Sequence, residues 1–396
     1  FNTRFIESKE VPNWAKMKTI EAIINRNTSD PNFTVPNAKL YSTRCSLVVQ
    51  ESADSGTFIS AVDALFAICT NNDSNIERPE IIVGNTLKFV EKGFKPTENV
   101  DCVSHVSQFI EKVVASKQLD NQSIILNFHE ATSSFLTTSN WHKFVDSMSL
   151  VVNSFSSVKD ANKLKFCQVI SSYYIVSSAR NSDVAKKVVY KLLSLLDSSK
   201  YNCESIDIQS PSEMAQIIFD CCHGIELKEV LSILIPSIVT LSHSQLGSAA
   251  NSLLRAFATT REATEDPQAF VKVYIRHSNE SGDAIVTLFK LDKEKVIDLL
   301  ITETFSQNIA TASSSLFSCA EIRHDVIVTL IERAKLLHSK NEEETLNNSE
   351  AAIYVNPIES ALSILSNVKY SIPYNSDDNG EYILIELSII NLKLKY

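Results

Sequence analysis

Apolar residues recur along this chain at helical spacing, most clearly in the second half of 306–339. There Ile327, Leu330, Ile331, Ala334 and Leu337 fall at i, i+3, i+4, i+7 and i+10, while Arg323, Asp325, Glu332 and Lys335 lie off that stripe. The first half, SQNIATASSSLFSCA, is small and apolar throughout. The spacing predicts two short helices back to back, the second with one apolar face that needs a neighbour.

The same rhythm runs through the rest of the chain. A first helix is expected from Pro12, with Trp14, Met17, Ile20 or Glu21, and Ile24 in register. The polar stretch 25–36 reads as a loop, and segments starting near Asn37, Gly56, Pro79, Val100, Gln122, Asn140 and Ala161 each carry helical periodicity. In 182–197 Ser182 or Asp183 is placed to cap a helix, Val184, Val188, Leu192 and Leu195 form its buried stripe, and Lys186, Lys187 and Lys191 face away. Beyond His338, the charged run 339–350 is expected to be a loop and 351–366 a last helix.

After Ser210 the units repeat. SPSEMAQIIFDCC, SQLGSAANSLLRAFA and SQNIATASSSLFSCA all open on serine followed by small and apolar residues. At a fixed offset of 62, Ser244, Ala250, Ser252, Leu254 and Ala258 match Ser306, Ala312, Ser314, Leu316 and Ala320; Ala284 and Leu288 lie 34 after Ala250 and Leu254. A unit of roughly 30 to 40 residues is the size of a stacking helix pair. The pattern changes at the end of the chain. Tyr370, Ile372 and Tyr374 alternate with Ser371 and Pro373, Asp377-Asp378-Asn379-Gly380 is a turn sequence, and Ile385, Leu387 and Ile389 alternate with Glu386 and Ser388. The expected fold is therefore all-α, an α-solenoid of about nine stacked helix pairs with a short C-terminal β-hairpin. Its expected divisions are an N-terminal helix and loop (1–36), degenerate N-terminal helical repeats (37–205), C-terminal helical repeats (206–368) and a hairpin tail (369–396).

Composition narrows the function classes. Seven glycines among 396 residues are too few for the tight turns of Rossmann folds or β-sandwiches, and ten prolines suit helices that start and stop often. The eight cysteines follow apolar helical positions and read as reduced core residues, with no metal site among them. Cys221, Cys222 and His223 lack a second Cys/His pair at zinc-like spacing. No phosphate-binding, dinucleotide, nucleophile-elbow or zincin motif occurs, so no catalytic residue and no cofactor is expected. His105, His129, His142 and His324 are isolated and read as ordinary surface or core histidines. The longest apolar run, Val230 to Leu241, contains Pro236 and is short of the roughly 20 residues needed to cross a bilayer, so no direct membrane insertion is expected. The chain opens at Phe1 without methionine, as either a processed precursor or a part of a longer chain would.

Net charge is −10, so any contact with nucleic acid must be local. Lys159, Lys163, Lys165, Arg180, Lys186, Lys187 and Lys191, against Asp160 and Asp183, make a local +5, with Tyr173, Tyr174 and Tyr190 interleaved. These seven basic residues are the candidate RNA or partner contacts. The same residues also fit a solvated helix face over core tyrosines. The following stretch, Lys200 to Asp266, has nine acidic and four basic residues, and a bipolar surface suits docking to protein.

The serine-led unit with a small first helix and an amphipathic second resembles the octotricopeptide-type and related helical repeats that precede RAP domains in organellar RNA-associated proteins. SQNIATASSSLFSCA carries the resemblance best, and it covers 210–339. YSIPY and YILIELS, with Glu386 at the acidic position, are similar to the opening strands of a RAP domain; Ser388-Ile389 stands where that domain has Asp-Gly. The resemblance implies a non-enzymatic scaffold, structural or RNA-associated, within an organellar ribonucleoprotein such as the mitochondrial ribosome. It implies a mitochondrial matrix setting, with other protein subunits and RNA, through the basic face, as partners. The alternative from composition is a protein-only HEAT- or armadillo-like adaptor, or an accessory subunit of a multi-subunit membrane complex, with a cytoplasmic setting.

Overall fold

Helix caps and apolar stripes place the elements of this chain, whose computed structural model describes residues 2–30, 35–51, 55–70, 100–117, 122–158, 162–201, 208–304, 306–347, 355–369, 385–386 and 389–393. Every regular element among them is helical, and they fall into two compact units, Phe1–Asp207 and Ile208–Tyr396.

The first unit holds α1 (Asn2–Glu7), α2 (Asn13–Ser29), α3 (Ala38–Glu51), α4 (Ser55–Thr70), α5 (Val100–Lys117), α6 (Gln122–Thr132), α7 (Trp141–Asn153), α8 (Lys163–Arg180) and α9 (Asp183–Leu196). A single 3-10 turn, Ser133–Thr137, links α6 to α7, where Phe135 stacks on Phe144 at 4.6 Å. Helices pack on neighbours one and two along the chain: α2 on α4, α4 on α5, α5 on α7, α7 on α9, and α6 on α8. The expected starts near Asn37, Gly56, Val100, Gln122, Asn140 and Ala161 each meet a helix; the start at Pro79 lies outside the described residues.

The second unit repeats this order more regularly. It comprises α10 (Pro211–Cys221), α11 (Leu227–Ser242), α12 (Gly247–Phe257), the short α13 (Arg261–Glu265), α14 (Pro267–Arg276), α15 (Ser278–Leu291), α16 (Lys293–Thr302), α17 (Gln307–Ser318), α18 (Ala320–Asn347) and α19 (Pro357–Lys369). One row runs α10, α12, α15, α17, α19, each packed on the next; a second runs α11, α14, α16, α18. This is a repeat-like, all-α arrangement, compatible with an α-solenoid.

The repeat in the sequence coincides with the first row. Ala250 and Leu254 of α12, Ala284 and Leu288 of α15, and Ala312 and Leu316 of α17 are all buried, on three helices that pack consecutively. Small side chains let these helices approach closely. A Cβ added to Gly282 of α15 would sit 2.6 Å from Ser315 Oγ and 3.1 Å from Ser315 Cβ of α17. Gly247 serves a tight turn instead, since a Cβ there would meet the Ser242 carbonyl oxygen at 2.5 Å. Polar ties join the helices elsewhere. The buried Tyr274 hydroxyl donates to the Leu254 carbonyl at 2.8 Å, joining α14 to α12. Arg333 of α18 reaches both Asp298 (Nε to Oδ1, 2.7 Å) and Glu294 (Nη1 to Oε2, 2.9 Å) of α16.

Serine and aspartate start these helices as their type dictates, by accepting an N–H that has no partner within the helix. Ser182 accepts from Ala185, Ser210 from Glu213, Asp266 from Ala269, Asp292 from Lys295 and Ser306 from Ile309.

Four expectations are corrected. The C-terminal β-hairpin is absent: residues 385–386 and 389–393 are helical, and no strand occurs among the described residues. Its first expected strand, 370–374, and the Asp377–Gly380 turn lie outside those residues. Ile385, Ile389 and Leu392 also fall at i, i+4 and i+7, so this short apolar run satisfies both periods, and burial of Ile385 and Leu392 follows the helical one. The loop expected from Ser339 is instead a continuation of α18 to Asn347, because its Lys, Asn and Glu residues favour or tolerate helix and contain no breaker. On α2 the buried face is Lys16, Met17, Ile20 and Ile23, which leaves Trp14 63 % exposed. On α18 Arg323 is likewise buried, donating from Nε to the Phe317 carbonyl at 2.6 Å and so capping the end of α17.

Replacing Gly282 by valine is expected to lower stability by about 1–3 kcal/mol in urea unfolding, because a branched side chain must displace α17. An unchanged midpoint would mean that α15 and α17 are not held at this distance.

Candidate functional site

The basic cluster stands on α8 and α9, an antiparallel pair joined by Asn181 in the left-handed conformation (φ 48°, ψ 48°). Asn is one of the few residues that adopts this conformation readily, which fixes the tight reversal. Asn162 caps α8 by accepting from the Lys165 N–H, and Ser182 caps α9. The buried residues of α9 are Ala185, Val188, Val189, Leu192, Leu193 and Leu195, so Val188, Leu192 and Leu195 of the expected stripe are buried and Val184 is half-buried.

This pairing divides the seven candidates. Arg180, Lys186 and Lys187 gather at the reversal, and Lys191 lies one turn further along α9. Lys163 and Lys165 sit at the opposite end of α8, roughly 25 Å away along the axis at about 1.5 Å per residue. Lys159 lies outside the described residues. Two of the cations are engaged with rings: the half-buried Arg180 guanidinium is 5.7 Å from the Trp141 ring centre, and Lys186 Nζ is 5.5 Å from that of Tyr190. Lys163, Lys165 and Lys187 are exposed and Lys191 is half-buried. Lys187 and Lys191 are i, i+4 neighbours on the side of α9 away from its packed face. The basic residues thus form a short cationic strip on α9 and a separate pair at the start of α8, rather than one field spread over both helices.

Between α6 and α8 is a buried polar contact that sequence did not single out. His129 of α6 lies against Tyr173 of α8, with ring centres 5.8 Å apart. His129 Nδ1 and the Tyr173 hydroxyl are out of solvent and make no hydrogen bond. The adjacent Thr132 hydroxyl donates instead to the Phe128 carbonyl at 2.7 Å. Burial pushes the His129 imidazole down to about 4 and the Tyr173 hydroxyl up. The neutral imidazole is thus the form the fold accepts. The other histidines are unremarkable: His105 Nε2 is 3.0 Å from Asp63 Oδ1, His142 lies edge-on to Trp141, and His324 is exposed.

A second surface feature lies in the second unit, a groove of about 620 Å³ along α14. Its rim carries Lys228, Lys272 and Arg276 together with Glu226, Asp266 and Glu303, all exposed, over Val273, Leu299 and Ile309. Three charges of each sign leave it with no net attraction for a polyanion. Its residues come from α11, α14, the end of α16 and the start of α17, so only the folded chain brings them together.

Among the described residues no group of three His, Cys, Asp or Glu is placed to hold a metal ion, and no helix is long and apolar enough to cross a membrane. Cys222 is buried, Cys221 half-buried and His223 exposed, so the three do not converge.

No family model and no curated protein matches this chain. Among solved structures, it is similar to a chain from work described as "A conserved phosphorylation switch controls the interaction between cadherin and beta-catenin in vitro and in vivo". Identity is 9 %, coverage is 99 % of this chain and 98 % of that one, and the TM-score is 0.24, too low to carry an argument about fold or function.

Because His129 binds its proton less tightly folded than unfolded, acid favours the unfolded state. The loss begins as pH falls below the free-imidazole value of about 6.5 and is complete below about 4. Between pH 7 and 5 the native state is expected to lose about 2 kcal/mol from this residue. Urea titrations of wild type and His129→Phe at the two pH values check this; an identical pH dependence would place the imidazole in water.

Proposed function

We propose that this protein is a non-enzymatic helical-repeat scaffold, an α-solenoid that holds an anionic partner against α9 within a larger assembly. One observation supports the reading above others: in a chain of net charge −10, Lys187 and Lys191 project side by side from α9 and make no ion pair among the described residues. Unpaired, adjacent ammonium groups are the least costly to bring against phosphates, since no existing bridge is broken and bound counterions are released. The partner favoured is single-stranded RNA, with Tyr190 and Lys186 flanking the strip.

The mitochondrial ribonucleoprotein setting, a ribosome first among such assemblies, rests on the resemblance of the serine-led helix pairs alone. The terminal hairpin that extended this resemblance towards a RAP domain is not formed.

A second reading, a protein-only adaptor of the HEAT or armadillo kind in the cytoplasm or on a membrane complex, draws on the charge-balanced groove along α14. Such a surface suits a polypeptide of mixed charge better than RNA.

Fluorescence anisotropy with a mixed-sequence single-stranded RNA discriminates between the two. Lys187→Glu together with Lys191→Glu is expected to weaken binding at least tenfold and to reduce the slope of log affinity against log salt by about two. No measurable binding by the wild type, or affinity indifferent to both salt and charge reversal, would favour the protein-only adaptor.

A further inference from the structure

The groove along α14 has a direction. Short connections at His277 and Asp292 reverse the chain twice, so α14 and α16 run parallel, and the α16–α17 turn with Glu303 lies beside the end of α14 that carries Arg276. The opposite end is fixed by Gln216 of α10, whose Nε2 donates to Glu262 Oε2 of α13 at 3.3 Å. That bond sets the segment leading into α14 beside the segment leading into α11, so Glu226 and Lys228 flank Asp266. From Asp266 to Arg276 the groove spans roughly 15 Å, at about 1.5 Å per residue of helix.

Charge is divided along that length. Glu226 and Asp266 outweigh Lys228 at one end, and Lys272 and Arg276 outweigh Glu303 at the other. All six are exposed, and among the described residues none of them forms an ion pair. The two ends are too far apart to neutralise each other, since Asp266 and Lys272 already stand roughly 9 Å apart along the helix axis. Between them Ala269, small and half-buried, leaves an apolar gap beside Val273. A polyanion meets repulsion at the acidic end. An extended peptide with charges of both signs meets an opposite charge at each end. Such a chain advances about 3.3 Å per residue and turns every second side chain to the same side, so the side chains at i, i+2 and i+4 cover about 13 Å of one face. That length matches the groove.

We propose that the α14 groove binds an extended peptide segment of a partner protein, in which an acidic and a basic side chain stand four residues apart with an apolar one midway. The acidic side chain meets Lys272 and Arg276, the basic one Glu226 and Asp266, and the apolar one Ala269 and Val273. The site rests on the reading of this groove as a surface for protein, and it holds whether or not α9 carries RNA.

The test is an array of acetylated, amidated octapeptides in an alanine–serine host, probed with the full chain. Each peptide carries one aspartate, one lysine and a leucine midway, with the two charges two, four or six residues apart and in both orders. The signal is expected to peak at a separation of four. Fluorescence anisotropy with that peptide is expected to show affinity about tenfold weaker in Lys272→Glu with Arg276→Glu. The variant is expected to bind instead the peptide whose aspartate is replaced by lysine, a gain that requires a folded groove. A signal indifferent to separation, no peptide bound above background, or an affinity untouched by the reversal would overturn the proposal. Single-stranded RNA titrated into the same two proteins is expected to bind both equally; an equal loss of RNA affinity in the variant would make the groove part of an RNA path and overturn it too. Protein as the partner at large is judged by the Lys187→Glu and Lys191→Glu titrations, so a silent array rules out this site without deciding that reading.

Discussion

Helices of the second unit can stack only if each pair of successive first-row helices comes close enough to exclude water, and that distance is set by their smallest side chains. Gly282 against Ser315 is one such point, and the small residues Ala250, Ala284 and Ala312 are buried on the same three helices. With small residues at the contact, the larger ones at the next positions (Leu254, Leu288 and Leu316) interlock behind them and supply the buried apolar area. Each helix then depends chiefly on its neighbours, as in other stacked repeats. The second row is tied in with polar bonds as well as apolar contact, through Tyr274 to the Leu254 carbonyl and Arg333 to Asp298 and Glu294. The Arg333 pairing is only partly exposed and doubly bonded, so it is better placed to contribute than the exposed Lys290–Glu321 pair.

Much of this was legible in the sequence because helix periodicity and capping are local. Ser182, Ser210 and Ser306 each cap a helix, and the 62-residue and 34-residue offsets mark buried positions on α12, α15 and α17. Where the reading failed, two local signals were equally satisfied or a distant neighbour decided the outcome. Ile385, Leu387 and Ile389 fit a strand, yet Ile385, Ile389 and Leu392 fit a helix turn equally well. The charged run after Ser339 looked like a loop by polarity, but polarity alone does not end a helix that has no glycine or proline in it. On α2, packing against α4 and α3 selected Lys16 rather than Trp14 for the interior, a choice no local pattern records.

The candidate surfaces were less legible than the fold, for a related reason. Closeness in sequence gathered seven basic residues into one cluster, whereas the α8–α9 reversal keeps Arg180, Lys186 and Lys187 together and carries Lys163 and Lys165 to the far end. The groove along α14 draws from four helices, and the His129–Tyr173 contact crosses from α6 to α8. What distinguishes the His129 contact and the α9 strip physically is an unmet electrostatic need. The fold tolerates a neutral imidazole at His129 and adjacent ammonium groups at Lys187 and Lys191, and such groups are where protons or ligands act most strongly.

Hydrogen exchange of wild type and Gly282→Val, resolved by mass spectrometry across 208–396, tests the stacked-row account most directly. The account predicts that protection falls most in α15 and α17, less in α12 and α19, and little in α10, following distance along the row. Equal loss in α10 and α17 would describe one undivided cooperative core and contradict a structure built by neighbour-to-neighbour stacking.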